Sequence, residues 1–349
     1  MNLPDNDYSG DRARTYEAKR KEHAYWRLEQ EAVEALLPEH PGSVLDLPTG
    51  TGRFLPLLTS RCKDVLGVDL SEDMLAEARR KHTRATLDTG NILTFFGPHT
   101  FQWVVCIRML NRLPLDQMKM ALLTLARNAT QGAIVGIRHG TPSSKGETIT
   151  HSTEDVQEAF FEAGFVDVRR ELIHACDGGG YYIYQLRRLT NPLMSQPNGF
   201  FPPQSIELLS HSTAGKSTFC KQGSYRGVRL FDMDDLVTKK EWEGRPDTLL
   251  RLHQEHSPDR VCVLGNAHES PLPLGDINYV AVLPPLDVIE RNQAARRQWA
   301  KSAGKRPGSS KLDRVLEWRE SLVMWLQQSP HIPFTQSFEQ AIELGFNLE

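Results

Sequence analysis

Two glycine-containing turns, each preceded by an apolar run, are the features that most constrain the fold of this chain. The first turn, Thr49-Gly50-Thr51-Gly52, follows the run Val44–Leu47, and the second turn, Gly215-Lys216-Ser217-Thr218, follows the run at 205–209. A strand that breaks into a glycine turn and then a helix brings backbone N–H groups close to a polar ligand. The 349 residues suit two domains better than one. The chain is therefore predicted to form two α/β units.

Composition narrows the class of protein. An apolar fraction of 39% with 24% charged residues is typical of a globular chain, and a net charge of −3 gives no general attraction to nucleic acid or to an anionic membrane. The first residues lack the basic-then-apolar order of a secretion signal, and no apolar stretch approaches the roughly 18 residues of a membrane span. The five cysteines are scattered and odd in number, which favours reduced thiols in a cytoplasmic protein without a membrane partner.

The order of elements predicts where the two units meet. A helix is expected over 8–37, then alternating strands and helices, and finally an antiparallel pair over 166–174 and 181–188. This order predicts a mostly parallel, doubly wound sheet. Residues 190–204 contain four prolines and are predicted to be a linker. The predicted domains are therefore 1–189 and 205–349, the second with a smaller parallel sheet.

The segment Val44–Phe54 resembles motif I of the class I S-adenosylmethionine (SAM)-dependent methyltransferases, and the resemblance extends over roughly 1–189. It implies a Rossmann-like seven-stranded sheet and SAM as cofactor. By the same resemblance, Asp69 would accept the ribose hydroxyls. The residues implied in cofactor binding are Asp46, Gly50, Gly52, Asp69 and Asn91, with Asp88 as the alternative to Asn91 at the adenine. A dehydrogenase is disfavoured because no third glycine follows Gly52.

The chain departs from parts of the methyltransferase pattern. Gln102 stands where many members of the family have an acidic residue. No Asn-Pro-Pro-Tyr tetrapeptide and no reactive-cysteine motif is present. The first absence disfavours the exocyclic amine of a nucleobase as methyl acceptor, and the second disfavours methylation of a carbon atom.

Basic residues follow the fourth and fifth predicted strands of the first unit. Arg108 and Arg138 are predicted to bind a phosphate or carboxylate of the acceptor, with ion-paired surface arginines as the alternative. His139 is a candidate general base or a structural histidine. Aromatic residues of the N-terminal helix, Tyr8 and Tyr16 among them, would close over the cofactor or simply pack on the sheet.

The second turn resembles the phosphate-binding loop of P-loop kinases of the shikimate, gluconate and nucleotide kinase type, over roughly 204–349. Ser210 stands where the motif has its first glycine, which leaves a disabled loop as the alternative. The resemblance implies ATP and Mg²⁺, with Ser217 and Asp232 on the metal. Lys216, Asp232 and Asp234 would be catalytic. The implied nucleotide-binding residues are Gly215, Lys216, Ser217, Thr218, Arg291 and Arg297, the two arginines belonging to a mobile lid.

The combined prediction is a bifunctional transferase. Residues 1–189 would move a methyl group from SAM, and residues 205–349 would phosphorylate a hydroxyl of a small molecule, nucleotide or modified base. The alternative is a non-catalytic binding or structural protein built on two degenerate folds. A nucleic-acid-modifying enzyme is a third possibility, and the oligomeric state stays open.

Overall fold

The chain divides into two compact units, residues 1–188 and 189–349. The computed structural model describes residues 8, 10–81, 84–145, 148–190, 205–210, 214–236, 252, 255, 260–266, 277–302, 312–329 and 332–346. The predicted linker therefore lies outside the described residues, except for its first position. Within the described residues no helix is both long and apolar enough to cross a membrane.

The N-terminal unit is built on a seven-stranded sheet in the order β3-β2-β1-β4-β5-β9-β8. Neighbours among the first five strands pair in parallel, whereas β9 and β8 pair antiparallel. The predicted Rossmann-like sheet with a final hairpin is thus confirmed. Its strands are β1 (Ser43–Asp46), β2 (Asp64–Asp69), β3 (Thr86–Thr89), β4 (Phe101–Cys106), β5 (Ala129–His139), β8 (Phe165–Cys176) and β9 (Gly179–Arg188). A separate ribbon, β6 (Ser143–Lys145) with β7 (Thr148–Thr150), was not predicted because its residues show no apolar alternation.

Helices cover both faces of this sheet. They are α1 (Asp11–Lys21), α2 (Ala24–Leu36), α3 (Leu55–Arg61), α4 (Glu72–Lys81), α5 (Leu115–Asn128) and α6 (Thr153–Glu162), with a 3₁₀ turn at Leu110–Arg112. The single helix predicted over 8–37 is in fact two, separated at residues 22–23. At the start of α6, Ser152 Oγ accepts the N–H of Asp155 and so caps the helix.

The core forms two layers because successive strand residues face opposite sides. In β1, Val44 packs with α2 and α3, whereas Leu45 packs with α5 and α6 on the other face. The neighbours of β1 are β2 on one side and β4 on the other. The chain therefore changes direction at β1, and a crevice opens at the carboxyl ends of the strands, where ligands bind in such sheets.

The C-terminal unit has its own six-stranded sheet in the order β11-β12-β13-β10-β14-β15. Five strands are parallel, as predicted, and only the two-residue edge strand β11 is antiparallel. The strands are β10 (Ser205–Ser210), β11 (Ser224–Tyr225), β12 (Val228–Asp232), β13 (Arg260–Asn266), β14 (Ile277–Val282) and β15 (Phe334–Thr335). Strands β11 and β15 were not predicted, because two residues carry no periodic pattern.

The helices described in this unit are α7 (Lys216–Cys220), α8 (Met233–Leu236), α9 (Leu286–Ser302), α10 (Leu312–Gln328) and α11 (Phe338–Gly345). A helix predicted over 246–254 lies almost wholly outside the described residues. Strand β10 stands between β13 and β14, so the chain changes direction there too. The glycine turn after β10 consequently lies at the position where a doubly wound sheet binds its ligand.

Candidate functional sites

A cavity of about 430 Å³ opens at the carboxyl edge of the N-terminal sheet. The glycine turn after β1 and residues following β2, β3, β4 and β5 form its floor, and side chains from α1 and α2 form its cover. The aromatic residues of that cover include Tyr8, Tyr16 and Trp26, which the sequence placed as a lid or as packing. The residues of the floor include Thr49, Gly50, Thr51, Asp69, Leu70, Gly90, Ile92, Ile107, Arg108, Asn111 and Arg138.

Gly50 and Asp69 meet in this cavity, as the sequence predicted. Gly50 has a φ of +58°, and a Cβ there would lie 3.4 Å from the Met74 methyl carbon, so only glycine suits this turn. The Gly50 N–H donates to Asp69 Oδ2 at 2.8 Å, and the Ser71 N–H donates to Oδ1 at 2.9 Å. Burial raises the pKa of Asp69, and these N–H groups oppose the rise. An acidic group thus borders the cavity where the ribose contact is predicted.

Three other predicted cofactor residues support the loops and are not among the residues that line the cavity. Asp46 is buried and accepts Thr49 Oγ1–H at 2.7 Å, and burial raises its pKa to about 7. Gly52 has a φ of +79° and donates its N–H to the Thr49 carbonyl at 3.0 Å. Asn91 Oδ1 accepts the N–H of Leu93 at 2.9 Å, which fixes the loop that presents Gly90 and Ile92.

A buried ion network under the cavity was missed at the sequence level. The Glu29 side chain on α2 is fully buried and accepts Arg53 Nη1 at 2.6 Å and Arg108 Nε at 2.7 Å. Arg108 has a φ of +64°, a conformation that non-glycine residues rarely adopt. Arg108, predicted to bind the acceptor, is therefore already paired with Glu29. The available signal was that Glu29 lies on the same stripe of α2 as the buried Ala32, Val33 and Leu36.

The far side of the cavity, at β4, β5 and β8, holds polar groups of a different kind. Arg138 lies at the end of β5, as predicted, and its Nε is buried without a hydrogen-bond partner among the described residues. Asn111 Oδ1 is also buried without a hydrogen-bond partner among the described residues. His174 Nδ1 lies 3.1 Å from the hydroxyl of Tyr25, and both residues line the cavity. No sequence pattern pointed to Asn111 or His174, since only tertiary packing brings them here.

His139 does not line the cavity. It is 3% exposed, its Nε2 lies 2.6 Å from the Tyr184 hydroxyl, and its Nδ1 lies 3.0 Å from Thr153 Oγ1. Burial, together with the nearby charge of Arg170, lowers the pKa of His139 to about 4. This setting supports the structural alternative over the predicted role as general base.

Replacing His139 by Gln should therefore change the pH dependence of stability. Because the pKa of this histidine is lower in the folded chain than in the unfolded chain, the unfolded chain binds the proton at a higher pH. The wild type therefore loses stability as the pH falls from about 6.5 to about 4. As the pH falls, the free energy of unfolding of the wild type should decrease by up to about 3 kcal/mol because of His139, and His139→Gln should lack this decrease. Urea titrations at pH 7.5 and pH 4.5 measure it, with the exposed His40→Gln as control. Equal pH dependence in wild type and His139→Gln would refute this assignment.

The C-terminal unit brings the predicted P-loop residues together. Lys216 Nζ lies 2.7 Å from Asp232 Oδ1 and 2.7 Å from Asp234 Oδ2, and Ser217 Oγ donates to Asp232 Oδ2 at 2.9 Å. The Lys216 side chain is only 8% exposed, whereas that of Asp234 is 53% exposed. Gly215, with a φ of +100°, precedes α7, and Thr218 is exposed in its first turn. A cation, a hydroxyl and two carboxylates thus converge beside the turn after β10.

Other residues of the predicted kinase site are placed as follows. Ser210 is fully buried, and its Oγ donates to the carbonyl of Gly265 at 3.3 Å. Arg291 and Arg297 are exposed on α9, and Arg291 pairs with Asp287 one turn before it at 3.1 Å. Within the described part of the chain, no group of three or more His, Cys, Asp or Glu residues could hold a metal ion.

The strand order, the glycine turn and the acidic residue that ends β2 give the N-terminal unit the fold of the class I SAM-dependent methyltransferases. The family model "Methyltransferase domain" matches residues 44–132, wholly within this unit. The chain is 37% identical over 109 residues to dTDP-3-amino-3,6-dideoxy-alpha-D-glucopyranose N,N-dimethyltransferase of Streptomyces fradiae, which is 30% of this chain and 42% of that enzyme. It is 40% identical over 73 residues to dTDP-3-amino-3,4,6-trideoxy-alpha-D-glucopyranose N,N-dimethyltransferase of Streptomyces venezuelae, which is 21% of this chain and 30% of that enzyme. These matches span less than half the length of either curated relative.

Two solved structures are reported for comparison of the fold. Magnesium protoporphyrin IX methyltransferase from Synechocystis PCC 6803, with bound SAH, is 18% identical, with 49% of this chain and 87% of that chain covered and a TM-score of 0.42. An N-methyltransferase from Bradyrhizobium japonicum WM9, in complex with SAH, is 14% identical, with 49% and 90% covered and a TM-score of 0.40.

Proposed function

We propose that the N-terminal unit transfers a methyl group from SAM to a nitrogen of a small molecule. The observation that carries this proposal is the pairing of Gly50 and Asp69 at the cavity floor, where the turn can approach a ligand and a carboxylate can accept hydroxyls. When bound, SAM supplies a methyl group on a sulfonium sulfur. The amine acceptor is suggested by the two relatives, both of which are N,N-dimethyltransferases of dTDP-amino sugars.

The chain's own residues would bind, enclose and orient the reactants. Asp69 and the backbone of the Gly50 turn hold the cofactor, and Tyr8, Tyr16 and Trp26 of the cover exclude water. His174, with its ring held by Tyr25, is the group that we assign to take the proton from the acceptor nitrogen.

Transfer of a labelled methyl group from SAM to an amino sugar tests this proposal. The full chain is incubated with SAM labelled in its methyl group and with dTDP-3-amino-3,6-dideoxyglucose, and the matched sugar with a 3-hydroxyl serves as control. We expect label in the amino sugar and an equal amount of SAH, with no label in the hydroxyl control. SAM bound without SAH formation on any amine of this class would contradict the proposed acceptor.

A second candidate function, phosphoryl transfer by the C-terminal unit, is favoured by the cluster of Lys216, Ser217, Asp232 and Asp234. When bound, Mg²⁺-ATP supplies the γ-phosphoryl group. The residues fit such a ligand because Lys216 can exchange its two carboxylates for phosphate oxygens, and Ser217 and Asp232 offer adjacent oxygens to a cation. Asp234, the more exposed carboxylate, would then hold the acceptor hydroxyl.

Replacing Lys216 by Met should abolish nucleotide binding if this second proposal is right. Loss of two charge-assisted hydrogen bonds should weaken Mg²⁺-ATP binding about 100-fold or more, as measured by calorimetry. Lys221→Met, an exposed lysine at the end of α7, is the control and should bind as the wild type does. Absence of ATP binding in the wild type would favour the alternative in which this unit is a non-catalytic module.

A further inference from the structure

The cavity of the N-terminal unit carries an excess of positive charge. Among the described residues that line it are five arginines (Arg20, Arg53, Arg108, Arg112 and Arg138) against two carboxylates, those of Glu29 and Asp69. Glu29 is shared by Arg53 and Arg108, and Asp69 is held by backbone N–H groups. SAM would add two positive charges, on its sulfonium and its ammonium group, and one negative charge, on its carboxylate. The electrostatics therefore favour an acceptor that brings negative charge.

The position of Arg138 indicates on which side of the cavity the negative charge of the acceptor would bind. The SAM side is formed by the turn after β1 and by the ends of β2 and β3, whereas Arg138 ends β5 and Asn111 follows β4, the strand that pairs with β5. The Arg138 guanidinium lies 5.9 Å from the centre of the Tyr181 ring. Its Nε and the Asn111 Oδ1 are buried and have no hydrogen-bond partner among the described residues. A buried polar atom left without a partner costs about 1–3 kcal/mol, so a ligand that supplies both partners is favoured here.

We propose that the ends of β4 and β5 form an oxyanion subsite for the methyl acceptor. Arg138 pairs with a phosphate or carboxylate of the acceptor, and Asn111 Oδ1 accepts a hydrogen bond from a hydroxyl or amine beside that charged group. Arg108 is assigned no contact with this group, because its Nε already donates to Glu29. This inference rests on the proposed methyl transfer and adds the class of substrate: an anion whose charged group is at the opposite side of the cavity from SAM.

Calorimetric titration of small anions into SAH-saturated protein tests the subsite. The full chain carries Lys216→Met throughout, so that the C-terminal unit contributes no phosphate site. Inorganic pyrophosphate and malonate are titrated separately, which distinguishes a phosphate-bearing from a carboxylate-bearing acceptor. We expect at least one of them to bind. Arg138→Gln should weaken it by about 10- to 100-fold, the value of a lost charge-assisted hydrogen bond.

Controls separate this subsite from the cofactor site. SAH is titrated first, and its affinity should change less than 2-fold in Arg138→Gln. Arg138→Lys, which keeps the charge, should bind the anion with intermediate affinity, and the exposed Arg127→Gln on α5 should bind as the parent does. Anion binding that is equal in the parent and in Arg138→Gln, or absent from the SAH-loaded parent, would overturn the subsite. Failure of the parent to bind SAH would instead refute the proposed function, and the subsite with it.

Discussion

Replacing Asp69 by Asn is expected to weaken SAH binding about 100-fold or more. The Asp69 carboxylate already accepts the N–H groups of Gly50 and Ser71, and its remaining lone pairs face the cavity. Asn offers a single neutral acceptor oxygen, so both the hold on the Gly50 turn and the contact with paired hydroxyls weaken. Hydrogen bonds to a charged group contribute about 1.5–3 kcal/mol each, and two of them correspond to at least about 100-fold in affinity. Calorimetry with SAH measures the effect.

The matched control lies on the same strand. Asp64 begins β2, as Asp69 ends it, and its side chain is 53% exposed beside His99. Asp64→Asn makes the same chemical change at the amino end of the strand, away from the cavity, and should bind SAH as the wild type does. Equal affinity in Asp69→Asn and the wild type would remove Asp69 from the cofactor site.

Replacing Glu29 by Ala is expected to lower the free energy of unfolding of the N-terminal unit by about 3–5 kcal/mol. The change leaves two guanidinium groups, those of Arg53 and Arg108, without their buried counter-ion. Removing one partner of a buried pair costs far more than the pair itself contributes, because the remaining charge stays desolvated. Hydrogen exchange in urea, followed on peptides from β1 and β4, measures the stability of this unit separately from the other.

Glu31→Ala is the control for this change. Glu31 lies on the same helix, and its exposed carboxylate is 3.7 Å from Arg27 Nε. An exposed pair of this kind contributes little, so the loss should stay within about 0.5 kcal/mol. Similar losses in Glu29→Ala and Glu31→Ala would contradict the structural role of the buried network.

The sheet of the N-terminal unit could be predicted because parallel strands buried on both faces appear in sequence as short apolar runs. Gly50 and Asp69 could be placed in one site for a related reason, since the carboxyl ends of adjacent strands share an edge. The break between α1 and α2, the β6–β7 ribbon and the two-residue strands were not predictable, because tertiary contacts decide them. The pairing of Glu29 with Arg108 joins residues 79 apart in sequence, and no local pattern encodes it.

On the acceptor side of the cavity, the position of a residue at a strand end was not enough to predict whether its side chain faces the cavity. Arg138 and His139 are consecutive in β5, and both were candidates for the site, with a structural role as the alternative for His139. Because side chains alternate across a strand, only one of two neighbours can face the cavity, and the structure places Arg138 there. Likewise Arg108 and Arg138 look equivalent in sequence, and only Glu29 distinguishes them. In the C-terminal unit, the resemblance to P-loop kinases implied one site for Lys216, Asp232 and Asp234, and their side chains do meet.

Direct titration of SAM into the wild-type chain tests most simply whether the cavity of the N-terminal unit holds SAM. One SAM should bind per chain, and this binding should be displaced by SAH and unaffected by Mg²⁺-ATP. Absence of SAM binding, or binding that persists unchanged in Asp69→Asn, would contradict it.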